Sequence, residues 1–105
     1  MTAKTDTTRQ RSGVEQRVVI TGMGVVAPNG HGLEEFEQAL RTGRTGIRFV
    51  EELKELKFGC QVGGVPQGID EIKTEYFSPD VLMAMNSSMT YAAIAAIDCW
   101  RDAGL

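Results

Sequence analysis

Past a polar opening stretch, the chain alternates between short apolar runs and glycine-rich breaks, and its first apolar run shows no alternation at all. Val18-Val19-Ile20-Thr21 is β-branched throughout. That predicts a strand covered on both faces, as in a parallel sheet, because a half-exposed strand would carry a polar residue at every second position. Gly22, Gly24, Pro28, Asn29, Gly30 and Gly32 then form a long breaker region. Helical spacing begins at Leu33 and predicts a helix over Leu33 to Arg41, with Leu33, Phe36 and Leu40 on one face. Glu34, Glu35 and Glu37 fill its first turns and Arg41 its last, the charge order that a helix dipole favours. Gly43 is placed to end it in a left-handed conformation.

Ile47 to Val50 reads as extended, and Glu51 to Leu56 as one or two helical turns. Phe58 to Val65 reads as a second strand weakened by glycines, which mark bulges or close backbone approach, and Pro66 to Asp70 as a loop. Ser78-Pro79-Asp80 starts a helix, with serine at the N-cap, proline at the first helical position and an acid in the first turn. Asn86-Ser87-Ser88 places three cap-forming residues together, so a break is predicted there, followed by a second helix over Ser88 to Ala103 with Gly104 beyond its end. The alanines of that helix leave room for another backbone to come close, and its apolar face, with the methionines, reads as core packing. Residues 1–16 are polar and predict a disordered tail, so residues 17–105 make the one ordered unit.

Composition narrows the function classes. Hydrophobic residues are 42% and charged residues 24%, near globular averages. A net charge of −3 argues against nucleic acid as a partner, since binding there needs a basic stripe to replace counterions. No apolar run is long enough for a membrane span, and the N-terminus lacks the apolar core of a secretory signal, so a cytoplasmic location is expected. Two cysteines make no disulfide framework, and with one histidine their spacing fits no metal knuckle. Both thiols are expected to be buried and reduced.

Candidate chemistry is sparse. Gly22-Met23-Gly24-Val25-Val26-Ala27 matches the dinucleotide pattern G-x-G-x-x-A after a hydrophobic strand. That chemistry requires a helix starting inside the glycine turn, whose amides meet the pyrophosphate. Helical spacing here resumes only at Leu33, too late, so a small nucleotide-binding domain stands as an alternative and not the main reading. His31 lies in the breaker region with no partner placed by any motif and reads as a surface loop histidine. Cys60 falls within the second predicted strand and Cys99 on the last helix; neither lies at a strand-to-helix turn, where a thiolate is exposed and stabilised. Glu51, Glu52 and Glu55 read as a solvated helix face.

A family resemblance adds to this. Arg17-Val18-Val19-Ile20-Thr21-Gly22-Met23-Gly24, followed by Pro28-Asn29-Gly30, resembles the opening strand and loop of β-ketoacyl-acyl carrier protein synthases. Arg41-Thr42-Gly43-Arg44-Thr45-Gly46-Ile47 is similar to that family's G-x-S-G-I loop, with Thr45 in place of serine. Met85-Asn86 and the alanine-rich helix closing in Asp102-Ala103-Gly104-Leu105 resemble its long helix ending in D-[AS]-G-L. The pieces occur in the family's order and cover residues 17–105, with Phe49 to Leu56 and the strand around Gln61-Val62-Gly63-Gly64 closer to the elongating type I and II bacterial branch than to the initiating type III one.

The resemblance implies an α/β chain that is the N-terminal portion of the thiolase-like fold, incomplete as given. The implied reaction of the whole enzyme, in fatty acid or polyketide synthesis, is decarboxylative Claisen condensation of a cysteine-bound acyl group with malonyl-acyl carrier protein. It uses a cysteine at a strand-to-helix turn and two histidines, and no cofactor or metal. The family's T-A-C-A-type nucleophile motif and its histidines lie beyond position 105, and Cys60, Cys99 and His31 match none of them. The chain is therefore expected to hold no catalytic residue and to be inactive alone, as a truncated synthase or a non-catalytic partner of one. The implied partners of the full-length parent are acyl carrier protein and a second copy in a homodimer. Family members place lysine or arginine just before the methionine of the long helix to attract the acidic carrier. Here that stretch, Ser78 to Ala84, has no basic residue and one acid, so Asp80 and Met83 stand where the basic docking patch is expected.

Overall fold

A computed structural model describes residues 16–105, so the predicted tail, but for Gln16, lies outside the described residues. They hold β1 (Val26–Ala27), β2 (Gly30–His31), α1 (Leu33–Thr42), β3 (Ile47–Phe49), α2 (Glu51–Glu55), β4 (Val62–Gly64), α3 (Ile69–Tyr76), α4 (Pro79–Met83) and α5 (Ser87–Asp102). The strands form two antiparallel pairs, β1 with β2 and β3 with β4.

The predicted opening strand does not form. Val18 is 97% and Ile20 83% exposed, and Arg17 to Thr21 pairs with nothing among the described residues. The reason is in the composition itself: a strand apolar on both faces is stable only between two other layers and beside a paired edge. None of the described elements supplies either.

The first pairing arises instead inside the breaker region. Val26 faces His31 and Ala27 faces Gly30 across a two-residue turn at Pro28-Asn29. Neither turn residue has a positive φ. The turns that match strand twist require one, so this turn splays its strands and the ladder stops after two pairs, extended by a bond from the Gly32 amide to the Val25 carbonyl at 3.0 Å.

Helix α1 forms where its spacing predicts, and Gly43 ends it at φ 69°. The buried face is shifted by one position: Ala39 is buried and Leu40 is 62% exposed. Ala39 lies three residues after Phe36, one step around the helix from Leu40, and takes the inward position. The β3–β4 pair joins Ile47 to Gly64 and Phe49 to Val62. The second strand is thus three residues long and not eight, because α2 begins at Glu51 and removes its ladder partner. Between them Lys57 adopts φ 57°, and the Phe58 amide returns to the Leu53 carbonyl at 2.9 Å, closing α2 as a left-handed cap does.

The loop expected over Pro66 to Asp70 gives way to α3 from Ile69. Ile69, Ile72 and Tyr76 repeat at i, i+3 and i+7 and turn inward, and Ile69 is buried. Helix α4 starts at Pro79 as predicted, and the break after it is real. Asn86 caps α5, its side-chain oxygen accepting from the Met89 amide at 2.9 Å. Gly104 at φ 73° ends α5: its amide donates to the Arg101 carbonyl at 3.0 Å and the Leu105 amide to the Trp100 carbonyl at 3.3 Å, the paired bonds of a Schellman motif. Ala39, Ile69 and Ile94 make the small core, beside Thr90, whose hydroxyl donates to the Asn86 carbonyl at 3.0 Å.

Candidate functional site

The densest polar cluster joins three elements around Asp98 on α5. His31, carried by β2, places Nε2 3.0 Å from Asp98 Oδ2. The Tyr76 hydroxyl, from the end of α3, donates to Asp98 Oδ1 at 2.8 Å. The His31 and Tyr76 rings meet edge to face at 6.3 Å, and the Arg101 guanidinium lies 5.2 Å from the Tyr76 ring centre and 4.0 Å from Asp98. Burial, the Asp98 hydrogen bond and the Asp98 charge push the Tyr76 phenol above the ordinary tyrosine range, against a weaker pull from Arg101. His31 is therefore a half-buried, partnered side chain and not a free surface one. Its backbone amide also donates to Glu35 of α1 at 3.1 Å. The sequence held one signal of this: Asp98 is the lone acid within the apolar run from Ala92 to Trp100, and a charge there needs a partner.

Beside the cluster, the Pro28-Asn29 turn walls an open cavity of about 260 Å³ with Glu35, Arg44 and Arg48 around it. Both arginines are partnered. Arg44 donates to the Asn29 carbonyl at 3.1 Å and lies 3.5 Å from Glu35, and Arg48 donates to the Val65 carbonyl at 3.3 Å.

The glycine stretch is used for packing. A Cβ on Gly22 would stand 2.5 Å from the Cys99 carbonyl oxygen, and one on Gly24 would overlap the Ala95 carbonyl oxygen. The Gly22–Gly24 backbone thus lies directly on α5, the close approach predicted from its alanines. The Met23 amide donates to Asp102 at 2.9 Å. An amide already held by a carboxylate, in a stretch that runs into a hairpin and not a helix, offers no phosphate cradle, so the dinucleotide reading fails on geometry.

Cys99 Sγ lies 3.3 Å from the Gly22 carbonyl, a half-buried thiol donating into the same contact. Cys60 is exposed, contrary to expectation, because the stretch before β4 has no strand beside it; its Sγ sits 3.7 Å from the Val62 carbonyl. The structure does not bring His31 and either thiol into one hydrogen-bonded group. Glu51, Glu52 and Glu55 are exposed on α2, with Glu51 held by Lys54 at 3.0 Å. On α4, Asp80 and Met83 are exposed.

Residues 15–105 match the family described as beta-ketoacyl synthase, N-terminal domain. The chain belongs to the β-ketoacyl synthase family. It is 31% identical over 102 residues to the actinorhodin polyketide putative beta-ketoacyl synthase 1 of Streptomyces coelicolor, covering 97% of this chain and 21% of that protein. It is 32% identical over 91 residues to 3-oxoacyl-[acyl-carrier-protein] synthase 2 of Vibrio cholerae, covering 87% and 22%. With 3-oxoacyl-[acyl-carrier-protein] synthase 1 of Escherichia coli it shares 33% over 90 residues, covering 86% and 21%. The chain spans about a fifth of the length of these relatives. Membership of this family implies the thiolase-like fold, to which these mixed helices and short strands contribute one part. Among the described residues no helix is long and apolar enough to cross a membrane.

Proposed function

We propose that the chain is the opening part of a synthase that condenses a cysteine-bound acyl group with malonyl-acyl carrier protein, and that it performs no condensation itself. The single observation carrying this is the family match over residues 15–105. The geometry supports the second half of the reading. A nucleophilic thiolate needs a helix N-terminus or a nearby cation. Cys99 is mid-helix with its thiol turned to a carbonyl, and Cys60 is flanked by no helix start. An apolar groove of about 510 Å³ between Val25, Leu33, Phe36 and Ala95, together with the exposed Val18–Ile20 run, fits a chain that works within a larger fold. In that parent the carrier protein and a second copy of the synthase are the partners, in the cytoplasm and without a cofactor.

The carrier meets an unusual surface in this reading. Helix α4 presents Asp80 and a Met83 that is 87% exposed, and no basic residue lies from Ser78 to Ala84. An acidic carrier gains no steering from it, so Asp80→Lys with Met83→Arg in the parent speeds association, most at low salt. The central test is catalytic. The chain incubated with acyl- and malonyl-carrier protein yields no β-ketoacyl product, whereas the parent synthase containing it does and releases carbon dioxide. Turnover by the chain that is abolished by Cys60→Ala or Cys99→Ala overturns the proposal.

A further inference from the structure

We infer that Asp98 works as a latch that ties α3 to the β1–β2 hairpin through His31, with the imidazole held as its Nε2–H tautomer. The inference does not depend on the condensing reaction. A carboxylate oxygen only accepts, so the contact of 3.0 Å from His31 Nε2 to Asp98 Oδ2 requires the hydrogen on Nε2 whatever the charge of the ring. The other oxygen accepts from the Tyr76 hydroxyl at 2.8 Å. One side chain on α5 therefore orients two donors from elements far apart in sequence, and anything that turns the carboxylate moves both. The charged groups around it leave little choice of geometry: Arg101 stands 4.0 Å from the carboxylate, and Glu35 takes the backbone amide of His31, not its ring. His31 itself lines the cavity that the Pro28-Asn29 turn walls, so a displacement of α3 reaches that cavity through Asp98 and His31.

Two measurements on the full chain test this. Long-range proton–nitrogen correlation, recorded where the ring nitrogen shifts no longer change on adding base, reports the tautomer of the wild-type ring directly. The expected result is a protonated Nε2 and a bare Nδ1. The second reading is hydrogen exchange at the Gly32 amide, which closes the hairpin onto Val25. Tyr76→Phe keeps the ring against His31 and removes only the hydroxyl, and is expected to speed that exchange roughly three- to ten-fold, the worth of one hydrogen bond. Lys73→Ala, on the same helix but paired with Asp70, leaves it unchanged. A hydrogen on Nδ1 in the wild type, or a Gly32 amide that exchanges equally fast with and without the Tyr76 hydroxyl, overturns the latch. The tautomer needs no variant, so a hydrogen on Nδ1 overturns the latch even where Tyr76→Phe does not fold.

Discussion

Adding one methyl group at Gly24 tests the packing of the N-terminal segment on α5. The built Cβ overlaps the Ala95 carbonyl oxygen and stands 2.7 Å from the Cys99 amide nitrogen. Both are helix backbone, which yields only by bending α5, so the segment must lift away. Overpacking of this kind costs about 1–3 kcal/mol. Lifting also removes the exposed Met23–Asp102 hydrogen bond, worth about 1 kcal/mol. Gly24→Ala is thus expected to destabilise by about 2–4 kcal/mol, a large loss for a chain whose buried apolar residues, among those described, are Ala39, Ile69 and Ile94. Urea unfolding followed by far-ultraviolet circular dichroism reads it as a midpoint lowered by about 2 M or more, at a slope of about 1 kcal/mol/M. Gly59→Ala is the control: it has open space around it and no positive φ, so the substitution is neutral or stabilises slightly, by about 0.5 kcal/mol. Ala95→Gly does not rescue Gly24→Ala, because the obstacle is a carbonyl and not the alanine methyl. Equal midpoints for Gly24→Ala and Gly59→Ala would refute the reasoning.

Other expectations rest on single features. Asn86→Ala removes the cap of α5 and costs about 1 kcal/mol in the same unfolding assay, whereas Asn86→Asp keeps most of it. Lys57→Gly relieves a left-handed residue and stabilises by about 0.5–1 kcal/mol after the added freedom of the unfolded chain is subtracted. The Tyr76 phenol titrates above its usual value of 10.0, raised by burial and by Asp98. A raised folded value means that the tyrosine contributes stability in full below about pH 10, lost as pH climbs through the folded value. Alkaline unfolding of the wild type therefore shows a loss in that window, which Tyr76→Phe removes.

What the sequence made legible was whatever local chemistry decides. Helix α1, the proline start of α4, the break at Asn86 and the glycine stops at Gly43 and Gly104 all depend on residues within a turn of each other, and all stand where spacing and capping put them. The failures depend on distant partners. Val18 to Thr21 has strand composition, yet a strand is made by its neighbours, and no described element flanks this one. The Val26–His31 hairpin was hidden because glycine, proline and asparagine read as breakers whether or not the residues between them pair. Helix α3 is a different case: Ile69, Ile72 and Tyr76 carried the periodicity, and the loop reading from Pro66 and Gly68 overran it. The His31–Asp98 contact joins residues 67 positions apart, and local spacing cannot place them together. Only the lone acid in an apolar helix pointed to it.

The unpaired run Val18-Val19-Ile20 has a consequence for how the chain behaves in a tube. Three consecutive exposed β-branched residues, paired with no strand among the described residues, form a template onto which the same three residues of another copy can add, side by side. Such addition is at least second order in the chain, so dilute solutions are spared and concentrated ones are not. Arg17 guards one flank with a charge, and on the other side Thr21 and Gly22 carry none. Light scattering that rises steeply with concentration and falls on Val19→Lys is the signature. It places a ceiling on working concentration in these few residues.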